Sequence, residues 1–256
     1  MLFDSHAHLD DERFGEDRID VIGAMSEAGV GMIMNVGADM PSSRRSIVLA
    51  KKYPFIYAAV GVHPHEVEEM TDEDLQDLKE LAREEKVRAI GEIGLDYYYD
   101  NSPRDKQKVW FEKQIELAQE LELPIIIHCR DAMQDCLDIL KKYDFSHTSG
   151  VMHCFSGSAE TAAEIVKMGF YVAFGGAITF KNNKKACGVV QSVPMERLLI
   201  ETDCPYLTPE PHRGKRNDSR YVKYVAEKVA EFRGITVEEV EQATMFNAKC
   251  LFQIEQ

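Results

Sequence analysis

One alternation constrains this chain more than any single motif. Eight short apolar runs rich in β-branched residues lie at 2–8, 31–37, 55–63, 87–94, 124–129, 150–155, 170–176 and 197–203, with helically patterned stretches between them. Their length and composition predict strands. A strand, a helix and a further strand form a right-handed unit whose strands run parallel. Eight such units within 256 residues match the size of a (β/α)8 TIM barrel, with the whole chain, 1–256, as one domain. A doubly wound open sheet is the competitor. No G-x-G-x-x-G follows the first run, so dinucleotide binding has no support.

The intervening stretches carry helix punctuation. A segment at 19–28 ends near Gly29. Pro41 and Pro54 bracket a helix over 42–53, and Asp72–Asp74 place acids at the positive end of one over 72–85. Pro103 precedes the longest, which reaches about residue 122, and shorter ones follow at 132–143, 159–168 and 184–192. Two helices close the chain, at 219–232 before Gly234 and at 237–251 behind Thr236. Glu239 stands three residues after Thr236, at capping-box spacing.

In such a barrel, chemistry gathers at the C-terminal strand ends, and the polar residues can be tested against that rule. Run one ends in His6 and His8, which alternation puts on one face together with Asp4. Run three ends in His63, followed by His65. Run four carries Glu92 with Asp96 beyond it, run five His128 with Arg130, run six His153, and run eight Glu201, Thr202 and Asp203. Of the eight histidines, six fall at strand ends; only His147 and His212 do not. A lone histidine after an apolar run is usually a satisfied core residue, but scattered histidines do not collect in this way. His6, His8, Glu92, His128, His153 and Asp203 therefore read as metal ligands.

Histidine and carboxylate without cysteine suit zinc, manganese, magnesium or ferrous iron at a hydrolytic centre. Six ligands exceed what one catalytic ion with an open position needs, and fit two divalent ions sharing a bridging carboxylate, for which Glu92 is the candidate. Asp203, closing the last strand, can serve as general base, or as a ligand only. His63 and Arg130 are placed to contact an anionic substrate; the alternative for Arg130 is an ion pair with Asp131 or Asp135. Arg213, Lys215 and Arg216 follow the last strand, where a nucleic-acid backbone could pass, although a solvated basic loop explains Lys215 and Arg216 as well. Tyr97, Tyr98, Tyr99 and Phe155 could stack bases or simply pack under loops.

The bulk numbers limit partners. A net charge of −14 argues against a general nucleic-acid binder unless positive charge is concentrated locally, by the HRGKR run at 212–216 or by bound cations. The six cysteines are scattered without a CxxC pair, which predicts reduced thiols and a cytoplasmic protein. No leader, membrane segment or obligate protein partner is expected.

These residues form a recognisable series. DSHAHLD at 4–10, GVHPH at 61–65, GEIGLDYY at 91–98, PIIIHCRDA at 124–132, HCFSGS at 153–158, ETDCPYLTP at 201–209 and PHRGKRN at 211–217 resemble the TatD family of metal-dependent deoxyribonucleases. HxH alone is a weak signal; the ordered set is specific. The resemblance implies a metal-dependent hydrolase barrel holding two divalent ions (Mg, Mn or Zn) on His6, His8, Glu92, His128, His153 and Asp203. It implies DNA as substrate, single-stranded and cut from the 3′ end, with Asp203 taking a proton from the attacking water. Related barrel hydrolases bridge their metals with a carboxylated lysine; Glu92 at this position favours the deoxyribonuclease branch. The same centre could instead hydrolyse another ester or amide, such as a misacylated aminoacyl-tRNA (a D-aminoacyl-tRNA deacylase). A non-catalytic binding role would be expected to have lost one of the six residues.

Overall fold

The computed structural model describes residues 1–255. All eight expected strands form, in one sheet whose spatial order follows the sequence: β1 Leu2–Ala7, β2 Val30–Val36, β3 Ile56–Val60, β4 Val87–Asp96, β5 Ile125–Arg130, β6 Gly150–Met152, β7 Tyr171–Phe174 and β8 Leu198–Ile200. Every neighbouring pair is parallel. The ring is drawn shut just beyond the paired strands. Asp203 N–H donates to the His6 carbonyl at 2.9 Å and His8 N–H to the Cys204 carbonyl at 2.8 Å. Buried Asp4 reinforces this seam, accepting the Thr202 N–H at 2.8 Å and the Thr202 hydroxyl at 2.6 Å. Asp4 is thus turned to β8 rather than to His6 and His8.

Two strands are shorter than their apolar runs. β6 stops at Met152 and β8 at Ile200, leaving His153 and Asp203 in the following loops. Left-handed turns at Cys154 (φ 44°) and Asp203 (φ 55°) lift these segments off the sheet. β4 instead runs on to Asp96.

The helices lie between the strands: α1 Arg18–Gly23, α2 Met40–Lys52, α3 Asp72–Leu81, α4 Arg104–Glu120, α5 Met133–Leu140, α6 Ala159–Lys167, α7 Ala186–Ser192, α8 Val222–Arg233 and α9 Val237–Leu251. The expected helix over 19–28 is cut to α1, which ends at Gly23, a poor helix former. Thr236 and Glu239 form the expected capping box, and α8 closes on Gly234 in the left-handed conformation.

Alternation along the strands separates two cores. Leu2, Ile33, Ile56, Ile125 and Ile127 face outward and pack under the helices. Phe3, Met34, Ala59, Ala89, Ile126, Val151 and Leu199 belong to a second cluster with Ala248, Leu251 and Phe252 of the last helix and its end. The rings of Phe3 and Phe252 are 5.8 Å apart. The chain's end therefore closes the bottom of the barrel. Two residues above this layer on the same strand face stand His128 (after Ile126), His153 (after Val151) and Glu201 (after Leu199). The strand period that fills the barrel below thus aims polar side chains into its mouth.

Candidate metal centre

Glu92 is the hub of the mouth. β3, β4 and β5 approach closely beneath it: a Cβ on Gly61 would lie 2.7 Å from the Gly91 carbonyl carbon, and one on Gly91 would lie 2.6 Å from Ile126 Cβ. Only glycine allows this spacing. The Glu92 carboxylate is buried, and imidazoles surround it on two sides. Its Oε2 lies 3.4 Å from His6 Nε2 and 3.7 Å from His8 Nε2. Its Oε1 lies 2.8 Å from both His128 Nδ1 and His153 Nε2. Asp203 completes the first group, with Oδ1 at 3.6 Å from His8 Nε2 and 3.9 Å from His6 Nε2. All six expected ligands therefore converge, three on each side with Glu92 shared.

The donor atoms fit metal ions. His6 Nε2 and His8 Nε2 are 3.1 Å apart, close to the roughly 3.0–3.4 Å between adjacent ligands at metal–nitrogen bonds of ~2.0–2.1 Å. His8 Nδ1 faces the Val36 carbonyl at 2.8 Å. A carbonyl only accepts, so Nδ1 holds the proton and Nε2 presents its lone pair. Behind His153, Nδ1 faces Glu201 Oε1 at 3.4 Å, and Glu201 is fixed by the Cys154 N–H at 2.5 Å. Behind His128, Nε2 meets Asp96 Oδ2 at 2.9 Å, while Asp96 Oδ1 accepts the N–H groups of Tyr98 and Tyr99. His65 Nε2 meets the same Asp96 Oδ2 at 3.0 Å.

His63 differs. Its Nδ1 accepts the His65 N–H at 3.1 Å, so the neutral ring carries its proton on Nε2, which points at Glu92 Oε1 from 3.6 Å. It lies close enough to Glu92 and His128 to join a ligand group, but this tautomer presents a donor. That suits a phosphoryl oxygen better than a metal.

The charges are strongly coupled. Burial alone would raise Glu92, but the histidines around it hold its carboxyl well below the usual range. Asp203 is likewise pulled down against burial, chiefly by His8. Burial opposes protonation of His8, yet Asp203, Glu92 and Asp10 push it up to about 9. His6 and His63 are lowered, above all by burial.

These groups line a cleft of about 980 Å³ that also exposes Arg130, Tyr99 and Tyr206. Arg130 forms no ion pair among the described residues; its guanidinium lies 3.9 Å from the ring centre of Tyr98 and 4.8 Å from that of Tyr99. Asp135, its suggested partner, is held by Lys108 at 2.6 Å and by the Tyr97 hydroxyl at 2.7 Å. Tyr97 and Phe155 pack inward, whereas Tyr98 and Tyr99 remain exposed. Arg213 lies outside this cleft, over Phe180 at 4.0 Å, and Arg216 is paired with Asp17 at 2.6 Å.

Three supporting residues had no role in the sequence reading: Asp96, Glu201 and Asp10. Asp10 accepts from Asn35 at 2.9 Å, and Asn35 accepts the Leu9 N–H at 2.7 Å, clamping the segment after His8. Their position at strand ends was the only signal.

The model of the family described as TatD related DNase matches residues 3–253. The chain is 54% identical over 254 residues to the uncharacterized metal-dependent hydrolase YabD of Bacillus subtilis (strain 168), covering 99% of this chain and 100% of that protein. It is 32% identical to a 3′-5′ ssDNA/RNA exonuclease TatD of Salmonella typhimurium over 259 residues, 99% of each chain. The crystal structure of YjjV, a TatD homologue from Escherichia coli, superposes with a TM-score of 0.93 at 32% identity, covering 99% of this chain and 98% of that one.

Proposed function

Because the chain belongs to the TatD family of metal-dependent hydrolases, we propose that it hydrolyses phosphodiester bonds of single-stranded DNA, working from the 3′ end. One observation carries this reading: the two oxygens of Glu92 divide between two histidine groups. That is the layout of a two-ion centre with ions about 3.5–4 Å apart, suited to in-line displacement at phosphorus. The activity named for the Salmonella relative points the same way.

His6, His8 and Asp203 would hold one divalent ion, His128 and His153 the other, with Glu92 between them; Mg, Mn and Zn all suit such ligands. Bound there, the ions supply positive charge against the phosphate and a water acidic enough to ionise near neutrality. Asp203, ionised and facing the cleft, accepts the proton of the attacking water. The His63 Nε2–H donates to a phosphoryl oxygen. Arg130, free of carboxylates and backed by Tyr98 and Tyr99, offers its fork to the next phosphate. Glu201 and Asp96 hold the rings of His153 and His128 in orientation. The unpaired thiols suit a reducing compartment, and we place the protein in the cytoplasm. No helix among the described residues is long and apolar enough to cross a membrane.

The test is digestion of end-labelled single-stranded DNA with Mg²⁺, with Mn²⁺ and with chelator, beside Asp203→Asn. Stepwise shortening that requires metal and vanishes in the variant is the expected result. A folded, metal-loaded protein that leaves DNA intact overturns it, and aminoacyl-tRNA ester becomes the next substrate to try.

A further inference from the structure

A second cavity, of about 300 Å³, opens beside the metal cleft, and Leu207 lines both. Phe180, Arg213 and Lys215 line the smaller one. Its walls come from the loops after β7 and β8, in the sequences FKNNKK at 180–185 and HRGKR at 212–216. In a chain of net charge −14 these two stretches hold six Lys and Arg and no acid. Arg216 is consumed by Asp17. Lys181, Lys184, Lys185, Arg213 and Lys215 are exposed and have no carboxylate partner among the described residues.

The loops do not need these cations to hold together. Thr179 Oγ1 accepts the Glu210 N–H at 2.9 Å, and the Asn183 side chain donates to the Ala177 carbonyl at 3.1 Å. Glu210 is the one acid in the segment 204–217. The Arg213 guanidinium lies 4.0 Å from the Phe180 ring centre, a stacked pair of the kind that nucleobases join. Between the two cavities, Leu207 adopts φ 51°, unusual for a bulky residue, and remains 38% exposed. An apolar ridge thus separates a metal cleft from a basic, aromatic pocket.

We propose that this pocket is a second subsite for a single-stranded polynucleotide. With the reacting end of the strand at Glu92, the chain crosses Leu207, and a nucleotide further along stacks its base on the Arg213–Phe180 pair and sets its phosphate beside Lys215. The proposal rests on the nuclease reading for the direction of the strand, but it concerns binding and is tested as binding.

The experiment measures fluorescence anisotropy of labelled thymidine di-, tetra- and octanucleotides with Asp203→Asn protein in Mg²⁺, alone and combined with Arg213→Ala/Lys215→Ala. Affinity is expected to rise about tenfold or more from dinucleotide to octanucleotide, and the combined variant to lose most of that gain. Its slope of log affinity against log salt for the octanucleotide should fall by about 1.4, or 0.7 for each lost phosphate contact. Lys184→Ala/Lys185→Ala, on the neighbouring exposed stretch, should lower the slope in the same direction, guarding against a local collapse around Arg213. Equal length dependence and equal slope in parent and variants overturn the subsite. Length-dependent binding with no cleavage of any oligonucleotide by the unmodified protein upholds the subsite and overturns the nuclease reading. Cleavage without length-dependent binding does the reverse.

Discussion

Asp96 and His128 face each other across the β4–β5 seam, Oδ2 to Nε2 at 2.9 Å, while the other His128 nitrogen faces Glu92 at 2.8 Å. The ring is thereby strung between a shared carboxylate and a supporting one, the arrangement in which an outer carboxylate fixes a metal-ligating imidazole. Asp96→Asn keeps the size of the side chain but weakens acceptance from His128. Metal affinity on the His128–His153 side should fall about 10–100-fold, with the His6–His8 side unaffected. Titration of chelated protein with Mn²⁺, followed by electron paramagnetic resonance, would resolve one weakened step. Two unchanged steps would remove Asp96 from this role.

The sharing of Glu92 makes a prediction about stoichiometry. Glu92→Gln touches both ligand groups, whereas Asp203→Asn touches only the one containing His6 and His8. Elemental analysis after dialysis should show Glu92→Gln losing most bound metal and Asp203→Asn retaining the ion between His128 and His153. Equal loss in the two variants would contradict the division of ligands around Glu92. Both variants should lose hydrolysis by about 10³-fold or more, since each removes charge at the reacting centre.

His8 links the metal to pH. Its pKa in the metal-free protein is raised to about 9 because Asp203, Glu92 and Asp10 outweigh burial. A histidine raised on folding contributes stability that is complete below its unfolded value near 6.5 and is lost as pH climbs through 9. His128 and His153 are shifted in the same direction, whereas the lowered His6 and His63 act only below 6.5. The chelated protein should therefore lose stability between pH 6.5 and 9. A metal ion must displace the His8 proton, so each pH unit below 9 costs about tenfold in affinity per proton released. The Tm gain on adding metal should be larger at pH 9 than at pH 6.5. A gain independent of pH would mean that His8 binds no proton when the metal is absent.

What the sequence shows and what it hides follow from distance along the chain. The barrel was legible because alternation and helix caps are local, and eight repeats of one local pattern admit few topologies. The ligands were legible because each sits at a strand end, where the barrel gathers side chains wherever they fall in sequence. Asp96 and Glu201 occupy strand ends too, but their partners, His128 and Cys154, are set by register between different strands. Nothing in GEIGLDYY distinguishes Glu92 as hub from Asp96 as support. Arg213 was read as facing the substrate from its loop alone; only the fold shows that Leu207 stands between the cleft and the pocket it lines. The early ends of β6 and β8 were hidden because left-handed turns at Cys154 and Asp203 are imposed by the site, not by local preference.

Phe252 tests whether closing the barrel is separable from chemistry. Its ring is fully buried at the foot of the barrel against Phe3, at the opposite end from the strand-end histidines. Phe252→Ala removes most of a buried aromatic side chain and should cost about 3–5 kcal/mol through lost burial and the cavity left behind. In a chain of this size, each kcal/mol lowers Tm by about 2–4 °C, so the expected drop is roughly 10 °C. Phe252→Leu refills much of the volume and should recover more than half of it. Below the lowered Tm, metal stoichiometry and the affinity of the His8 side for metal should match the parent, because no ligand or supporting carboxylate touches Phe252. If Phe252→Ala lost metal at temperatures where it is fully folded, as judged by near-ultraviolet circular dichroism, the bottom plug and the mouth would be mechanically coupled. The layered barrel, apolar below and ligating above, would then have to be treated as one cooperative unit.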